Sequence, residues 1–355
     1  MVKTLEQKIG QLIIAGFRDN TISKETDIIN YIRDYNISGV ILYDEDMEKG
    51  GAGSRNIISQ HQLKTLTSTI QDSAKSPLFI SIDQEGGRVN RLKEVYGFPS
   101  FQSWKSIGDL DEESETEKIT TTLADCLSDC GINLNYAPVL DFDYGKSSYI
   151  GNSDRALSKN PDKIIKHSSI FIKNLKEKNI ISCVKHFPGQ GSGFGDTHKG
   201  ITDITETWSK EELLPYEIMI KNNEIDMVMI SHVFHRKYDD KLPASLSKKI
   251  TTYLLREKLH FRGVVICDDP SMKAISNNYS IEDTFSFMIN AGIDMFCLGN
   301  NLDYDMNYIP KCIDAIISGI KKGKISMDLI DSSIIRINSL KNKICLLYTS
   351  DAADE

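Results

Sequence analysis

Residues 185–198 read Lys-His-Phe-Pro-Gly-Gln-Gly-Ser-Gly-Phe-Gly-Asp-Thr-His, and they hold the densest chemistry in the chain. An apolar run at 180–184 leads straight into two basic side chains, Lys185 and His186. The segment breaks at Pro188 and passes glycines at 189, 191, 193 and 195 before ending on Asp196 and His198. Alternating glycines keep a backbone pliable. Asp-x-His supplies an imidazole that titrates near neutrality and a carboxylate close enough to orient it. A mobile loop carrying an acid/base pair beside a fixed cationic strand end points to an enzyme. A lone histidine on a surface loop is ordinarily just solvated, so the weight falls on its neighbours in space.

Those neighbours depend on the fold. Short apolar runs recur at 12–17, 39–43, 78–83, 133–138, 181–186, 227–232, 264–268 and 294–298. Each is apolar at consecutive rather than alternating positions, as strands buried on both faces should be. Amphipathic segments lie between them, among them 56–74, 115–130, 161–178, 210–222, 247–258 and 281–290, and a last helical pattern runs over 327–343. Strand–helix alternation predicts a parallel sheet. Eight such units predict an α/β fold with a single (β/α)8 TIM-type barrel, slightly irregular at most. Asp83, Asp141, Lys185, His186, His232 and Asp268 all fall at or just after the ends of the proposed strands. A barrel gathers those ends at one mouth, whereas an open sheet would place a Gly-rich phosphate loop after its first strand. The first strand is followed instead by Gly-Phe-Arg-Asp-Asn. The glycines at 189–195 fit neither nucleotide-binding spacing.

Composition narrows the function. A net charge of −8 argues against nucleic acid, whose phosphates need a basic surface. The start lacks an apolar signal core, and 12–17 is far too short to span a bilayer. A cytoplasmic location is the expectation. The chain has seven cysteines with no Cys-x-x-Cys, which read as small buried thiols rather than disulfides or zinc ligands. Residues 1–345 are expected to form the catalytic domain. Residues 346–355 end the helical pattern abruptly and read as a non-native or disordered tail, which leaves open a further domain beyond it.

The motifs recur in a recognisable order. They are Ile82-Asp-Gln-Glu-Gly-Gly-Arg-Val-Asn-Arg, Tyr136-Ala-Pro-Val-Leu-Asp, Arg155-Ala-Leu-Ser-Lys-Asn-Pro, the bipartite Lys185-His-Phe-Pro-Gly with Asp196-Thr-His, Pro243-Ala-Ser-Leu-Ser, Leu254-Leu-Arg, and Phe261-Arg-Gly-Val-Val-Ile-Cys-Asp-Asp. In this register the chain resembles the β-N-acetylhexosaminidases of glycoside hydrolase family 3. The resemblance covers the barrel from Ile9 to about Lys343. It implies a retaining, exo-acting sugar hydrolase, removing terminal β-linked N-acetylglucosamine, with peptidoglycan fragments in cell-wall recycling as the expected source.

Retention needs a group that attacks the anomeric carbon and an acid for the leaving oxygen. The resemblance implies Asp268 as nucleophile. Asp269 competes on sequence alone, and its structural role would be to cap the following turn. The resemblance assigns the acid/base to His198, oriented by Asp196. It also implies that Asp83, Arg155, Lys185 and His186 grip the sugar, with Arg91 and His232 as second contributors. Arg88 and Arg91 could instead form an ion pair with Glu85. Asp141 and Asp143 are expected to hold loops, and Trp104 and Trp208 to pack. No cofactor and no metal is expected, since His61, His167, His235 and His260 lack ligand spacing. The expected partner is a small carbohydrate, a muropeptide or N-acetylglucosaminide, with no nucleic acid or membrane, and the expected state is a monomer. Departures from the family are Gln190 for His, Ser192 for Asp, Pro270 for Leu, and an altered loop at 150–154. They leave the catalytic atoms in place and bear on substrate preference. The alternatives are a β-glucosidase or a phosphorylase of the same superfamily, or a silent sugar-binding protein.

Overall fold

The computed structural model describes residues 3–348. Of the expected tail 346–355, residues 349–355 lie outside the described residues, and 346–348 belong to the helix Met327–Tyr348. Eight strands stand among the described residues: β1 (Ile13–Gly16), β2 (Gly39–Leu42), β3 (Phe79–Ile82), β4 (Leu134–Asn135), β5 (Ile181–Phe187), β6 (Met227–Ile230), β7 (Val264–Cys267) and β8 (Met295–Leu298). Each pairs in parallel with the next, and β8 returns to β1 with Cys297 opposite Ile14, which closes the barrel. The expected (β/α)8 barrel is the observed fold, and each strand lies on its apolar run. Every strand residue is buried, because one face fills the barrel interior and the other meets the helices. The irregularity lies at β5, whose register against β6 shifts between Val184 and Phe187. β5 therefore runs on into the mouth, carrying Lys185 and His186 with it.

Three of the barrel's helices begin where a side chain satisfies a free N–H group. Ser59 accepts from the Gln62 N–H (3.2 Å) and starts the helix Gln60–Asp72, so residues 56–58 of the expected segment are loop. Asn160 caps Pro161–Glu177, with Pro161 in the first turn, where no N–H is needed. Ser280 caps Ile281–Ala291. Lys249–Lys258 is wound as a wide π-helix. A helix at Tyr308–Lys321 was not picked out from the sequence, because Pro310 and Gly319 obscure its pattern.

The bottom of the barrel is tied by one carboxylate. Asp294, just before β8, is fully buried. It accepts from Arg256 (2.6 Å), Arg336 (2.7 Å), the Ser333 hydroxyl (2.9 Å) and the Val265 N–H (2.9 Å). One side chain thus joins β7, β8, the π-helix and the last helix. Removing one partner of a buried ion pair leaves the other charge uncompensated. Asp294→Ala should cost about 3–5 kcal/mol, read as a lower urea midpoint in equilibrium unfolding.

Candidate active site

The mouth of the barrel is built on a buried ionic floor. Lys185 donates to Asp83 Oδ1 (2.7 Å) and lies 2.6 Å from Glu85 Oε1. Glu85 also takes both arms of Arg155, at 2.9 Å from Nε and 2.8 Å from Nη2. Burial alone would raise the Glu85 carboxyl, but Arg155 and Lys185 outweigh it and hold it far below the usual carboxylate range. Beside them His186 Nδ1–H donates to Asp141 Oδ2 (2.6 Å), and its Nε2 accepts from Arg155 Nη2 (3.3 Å). The network thereby assigns the His186 tautomer. Asp141 Oδ1 also accepts from the Gln190 N–H at 2.8 Å. The ion pair of Arg88 or Arg91 with Glu85 weighed from sequence is not formed. The backbone N–H groups of Glu85 and Gly86 both donate to the Val89 carbonyl in a tight turn, which carries Arg91 over to Asp44 (3.7 Å) and the Tyr43 ring. Arg88 is exposed.

Asp268 and Asp269 follow β7 and separate by their bonds. Asp269 accepts from the Ser271 N–H (2.9 Å) and the Gly299 N–H (3.0 Å), so it ties the turn to the end of β8. Burial pushes its carboxyl up to about 6. Asp268 Oδ1 accepts only the Asp269 N–H (2.8 Å) among the described residues, and the side chain lines the cavity. Burial would raise this carboxyl too, but His232, His186 and His198 together hold it below its ordinary value. His232 is buried, with Nδ1 accepting from the Ser245 hydroxyl (2.7 Å) and Nε2–H donating to the Asp269 carbonyl (3.1 Å). Both ring nitrogens are thus used by protein, and burial lowers the imidazole pKa.

The loop after β5 has two halves. Residues 188–193 are buried. A Cβ on Gly191 would meet the Phe142 carbonyl oxygen at 2.1 Å, and Gly189 has φ +118 with Glu212 against it. These two glycines permit close packing rather than motion. Trp208 Nε1–H donates to the Pro188 carbonyl (3.0 Å) and clamps the start of the loop, while Trp104 packs on Phe171. Gln190 and Ser192, the departures from the family, lie in this buried half. Only from Phe194 onward does the loop meet solvent. There His198 Nδ1–H donates to Asp196 Oδ1 (2.8 Å), with the His198 side chain 43% exposed.

Above the floor opens a cavity of about 470 Å³. It is lined by Asp83, Arg91, Asp196, His198 and Asp268 of the expected residues. Lys185, His186, Arg155 and His232 sit in the floor beneath it rather than on its lining. Tyr43, Glu45, Tyr149, Asn301 and Lys273 line it without having been singled out. Tyr43 ends the apolar run of β2, so the strand-end rule could have found it. Asn301 is held by the fully buried Arg55 (2.6 Å), a long-range bond with no local signal. Among the described residues no group of three His, Cys, Asp or Glu side chains is arranged to hold a metal.

Glu212 lies buried under the loop, accepting from the Tyr144 hydroxyl at 3.1 Å. Burial, reinforced by Asp141, pushes its carboxyl up to about 8. The fold therefore favours the neutral form. That contribution is complete below the ordinary carboxyl range and is lost as pH rises through about 8. Unfolding at pH 7 and pH 9 should show a loss of about 1–2 kcal/mol for the wild type. Glu212→Gln should remove most of that loss.

The sequence profile of the glycosyl hydrolase family 3 N-terminal domain matches residues 4–340. A β-hexosaminidase of Photobacterium profundum is 37% identical over 292 residues, covering 82% of this chain and 81% of that protein. A β-hexosaminidase of Neisseria gonorrhoeae is 33% identical over 298 residues, covering 82% and 77%. The structure of a glycoside hydrolase family 3 β-N-acetylglucosaminidase from a Paenibacillus species superposes with a TM-score of 0.86 at 28% identity, covering 97% of this chain and 63% of that one. With the closed barrel and the cavity at its mouth, these matches show that the chain belongs to glycosyl hydrolase family 3.

Proposed function

We propose that this glycoside hydrolase is a retaining exo-β-N-acetylglucosaminidase, with Asp268 as nucleophile and the Asp196–His198 pair as acid/base. The observation that carries the reading is that Asp268 and the dyad line one cavity from different elements, above a floor that orders the strand ends. The β-hexosaminidase relatives support the substrate class. In the first step an Asp268 oxygen bonds to the anomeric carbon as the glycosidic C–O bond breaks, and the His198 imidazolium gives its Nε2 proton to the leaving oxygen. In the second step water attacks the glycosyl ester, His198 recovers a proton from that water, and Asp268 is released. Asp196 holds Nδ1–H throughout and so sets which nitrogen trades the proton. The depressed pKa of Asp268 favours the ionised nucleophile at neutral pH.

Asp83, Arg91, Arg155, Lys185, His186 and His232 are proposed to grip or position the non-reducing sugar. Asp83 and Arg91 can do so from the lining, the others through the floor. The proposed substrates are peptidoglycan-derived muropeptides met in the cytoplasm. Free thiols at Cys126, Cys130, Cys183, Cys267, Cys297 and Cys312 suit a reducing compartment. No helix among the described residues is long and apolar enough to cross a membrane.

Two variants test the roles. Asp268→Asn should abolish turnover of a nitrophenyl glucosaminide. His198→Ala should slow substrates with poor leaving groups by about 10²–10⁴-fold and good leaving groups far less. Equal slowing of both, or a clear preference of the wild type for the corresponding glucoside, contradicts the reading.

A further inference from the structure

Glu212 has no task in the chemistry above, yet it backs the loop that carries the dyad. It is 1% exposed and does not line the cavity. Its Oε1 accepts from the Tyr144 hydroxyl (3.1 Å) and the Ser209 N–H (3.4 Å). Its Oε2 has no hydrogen-bond partner among the described residues and lies 2.6 Å from where a Gly189 Cβ would stand. Asp141 takes the N–H of the next residue, Gln190, at 2.8 Å. Two carboxyl groups thus meet adjacent residues of the buried half-loop.

No cation pairs with Glu212 among the described residues. Asp141 and Tyr144 face it from the segment after β4, and Lys159 lies over the Tyr144 ring (4.8 Å) rather than on the carboxyl. His186, at the end of β5, is taken by Asp141 (2.6 Å). Tyr216 faces it from the helix Leu214–Lys221, and Glu211 adds a like charge near Tyr144. An anion at Glu212 would stand near Asp141 without a partner, whereas a neutral carboxyl leaves only a hydroxyl unpaired. The closed packing therefore selects the protonated side chain. Ionisation is relieved by admitting water, and water reaches Oε2 only if the residues packed on it lift away. Lifting them breaks the Gln190 bond to Asp141 and frees the base from which Asp196 and His198 project.

We propose that Glu212, in its neutral form, positions the loop that bears the Asp196–His198 pair, and that its ionisation releases that loop. The proposal rests on the hydrolase reading, because a released loop takes the acid/base with it. Glu212 is a positioning residue that acts through Asp141 and the loop glycines. Its support for the closed loop is complete below the ordinary carboxyl range and is lost as pH rises through about 8.

The test follows kcat against pH with a dinitrophenyl N-acetylglucosaminide. Its leaving group departs without an acid, so kcat reports hydrolysis of the glycosyl ester, in which neutral His198 is the base. The dyad alone then gives a rise with pH to a plateau. The wild type should instead fall again between pH 7 and pH 9, several-fold and by about tenfold at most. Asp269 has already ionised there, with its carboxyl at about 6, and His232 and His235 are held below the ordinary imidazole range. Glu212→Gln cannot ionise and should hold the plateau. Tyr144→Phe removes a donor that favours the anion and should move the fall to higher pH. Trp208, whose Nε1–H holds the Pro188 carbonyl, gives a reading that needs no turnover. Its emission should shift to longer wavelength over the same range in the wild type and stay fixed in Glu212→Gln. A fall and an emission shift that are the same in wild type and Glu212→Gln overturn the proposal and leave the hydrolase reading standing. A wild-type plateau that persists to pH 9 overturns it too. Absence of turnover by the wild type at every pH overturns the hydrolase reading instead, and the emission then decides whether Glu212 releases the loop.

Discussion

The site depends on taking two cations out of water, Lys185 on β5 and the largely buried Arg155 in the long loop after β4. Lys185 and Arg155 cannot leave water at that depth unless carboxylates meet them there. Glu85 and Asp83 do so from the end of β3, and Asp141, from beyond β4, takes His186. Each bond crosses between segments that follow or end different strands. The network is therefore a condition on the geometry of the mouth as much as a part of it. If one strand end moved outward, a buried charge would lose its partner, which is a larger cost than most packing defects.

The rest of the site is stacked on that floor. Asp141 receives the Gln190 N–H, which fixes the buried half of the loop and so the base from which Asp196 and His198 project. On the other side, the turn after β7 is held by Asp269 and His232, leaving Asp268 with one internal hydrogen bond and a face on the cavity. Two adjacent carboxylates thus acquire opposite characters. The one that ties backbone together is pushed up by burial to about 6, and the one among the imidazoles is held down. Splitting neighbouring carboxyls in this way lets one turn hold two adjacent side chains at different proton affinities.

Much of this was legible before any coordinates. Consecutive rather than alternating apolar residues marked each of the barrel strands, because parallel strands covered on both faces leave that pattern. The polar residues at their ends marked the mouth. What could not be read was which polar residue meets which. Glu85 was weighed as a partner for Arg88 or Arg91, but the turn over 85–89 swings those residues away and leaves it to Arg155, seventy positions downstream in sequence. The glycines of the loop read as uniform flexibility, since sequence does not reveal that the Phe142 carbonyl lies where a Gly191 side chain would be. Arg55 gave no signal at all, because its partners Gly299, Asn300 and Asn301 are brought near only when β8 closes on β1.

The central claim is that Asp268, set by this architecture, bonds covalently to the sugar. Incubation with a 5-fluoro N-acetylglucosaminyl fluoride should trap the ester, because the ring fluorine slows both steps while the fluoride leaving group speeds only its formation. Intact-mass analysis followed by peptide mapping should then find one sugar residue added, on Asp268. An adduct on Asp269, or turnover of a normal substrate whose first-formed sugar is the α anomer, would contradict the account.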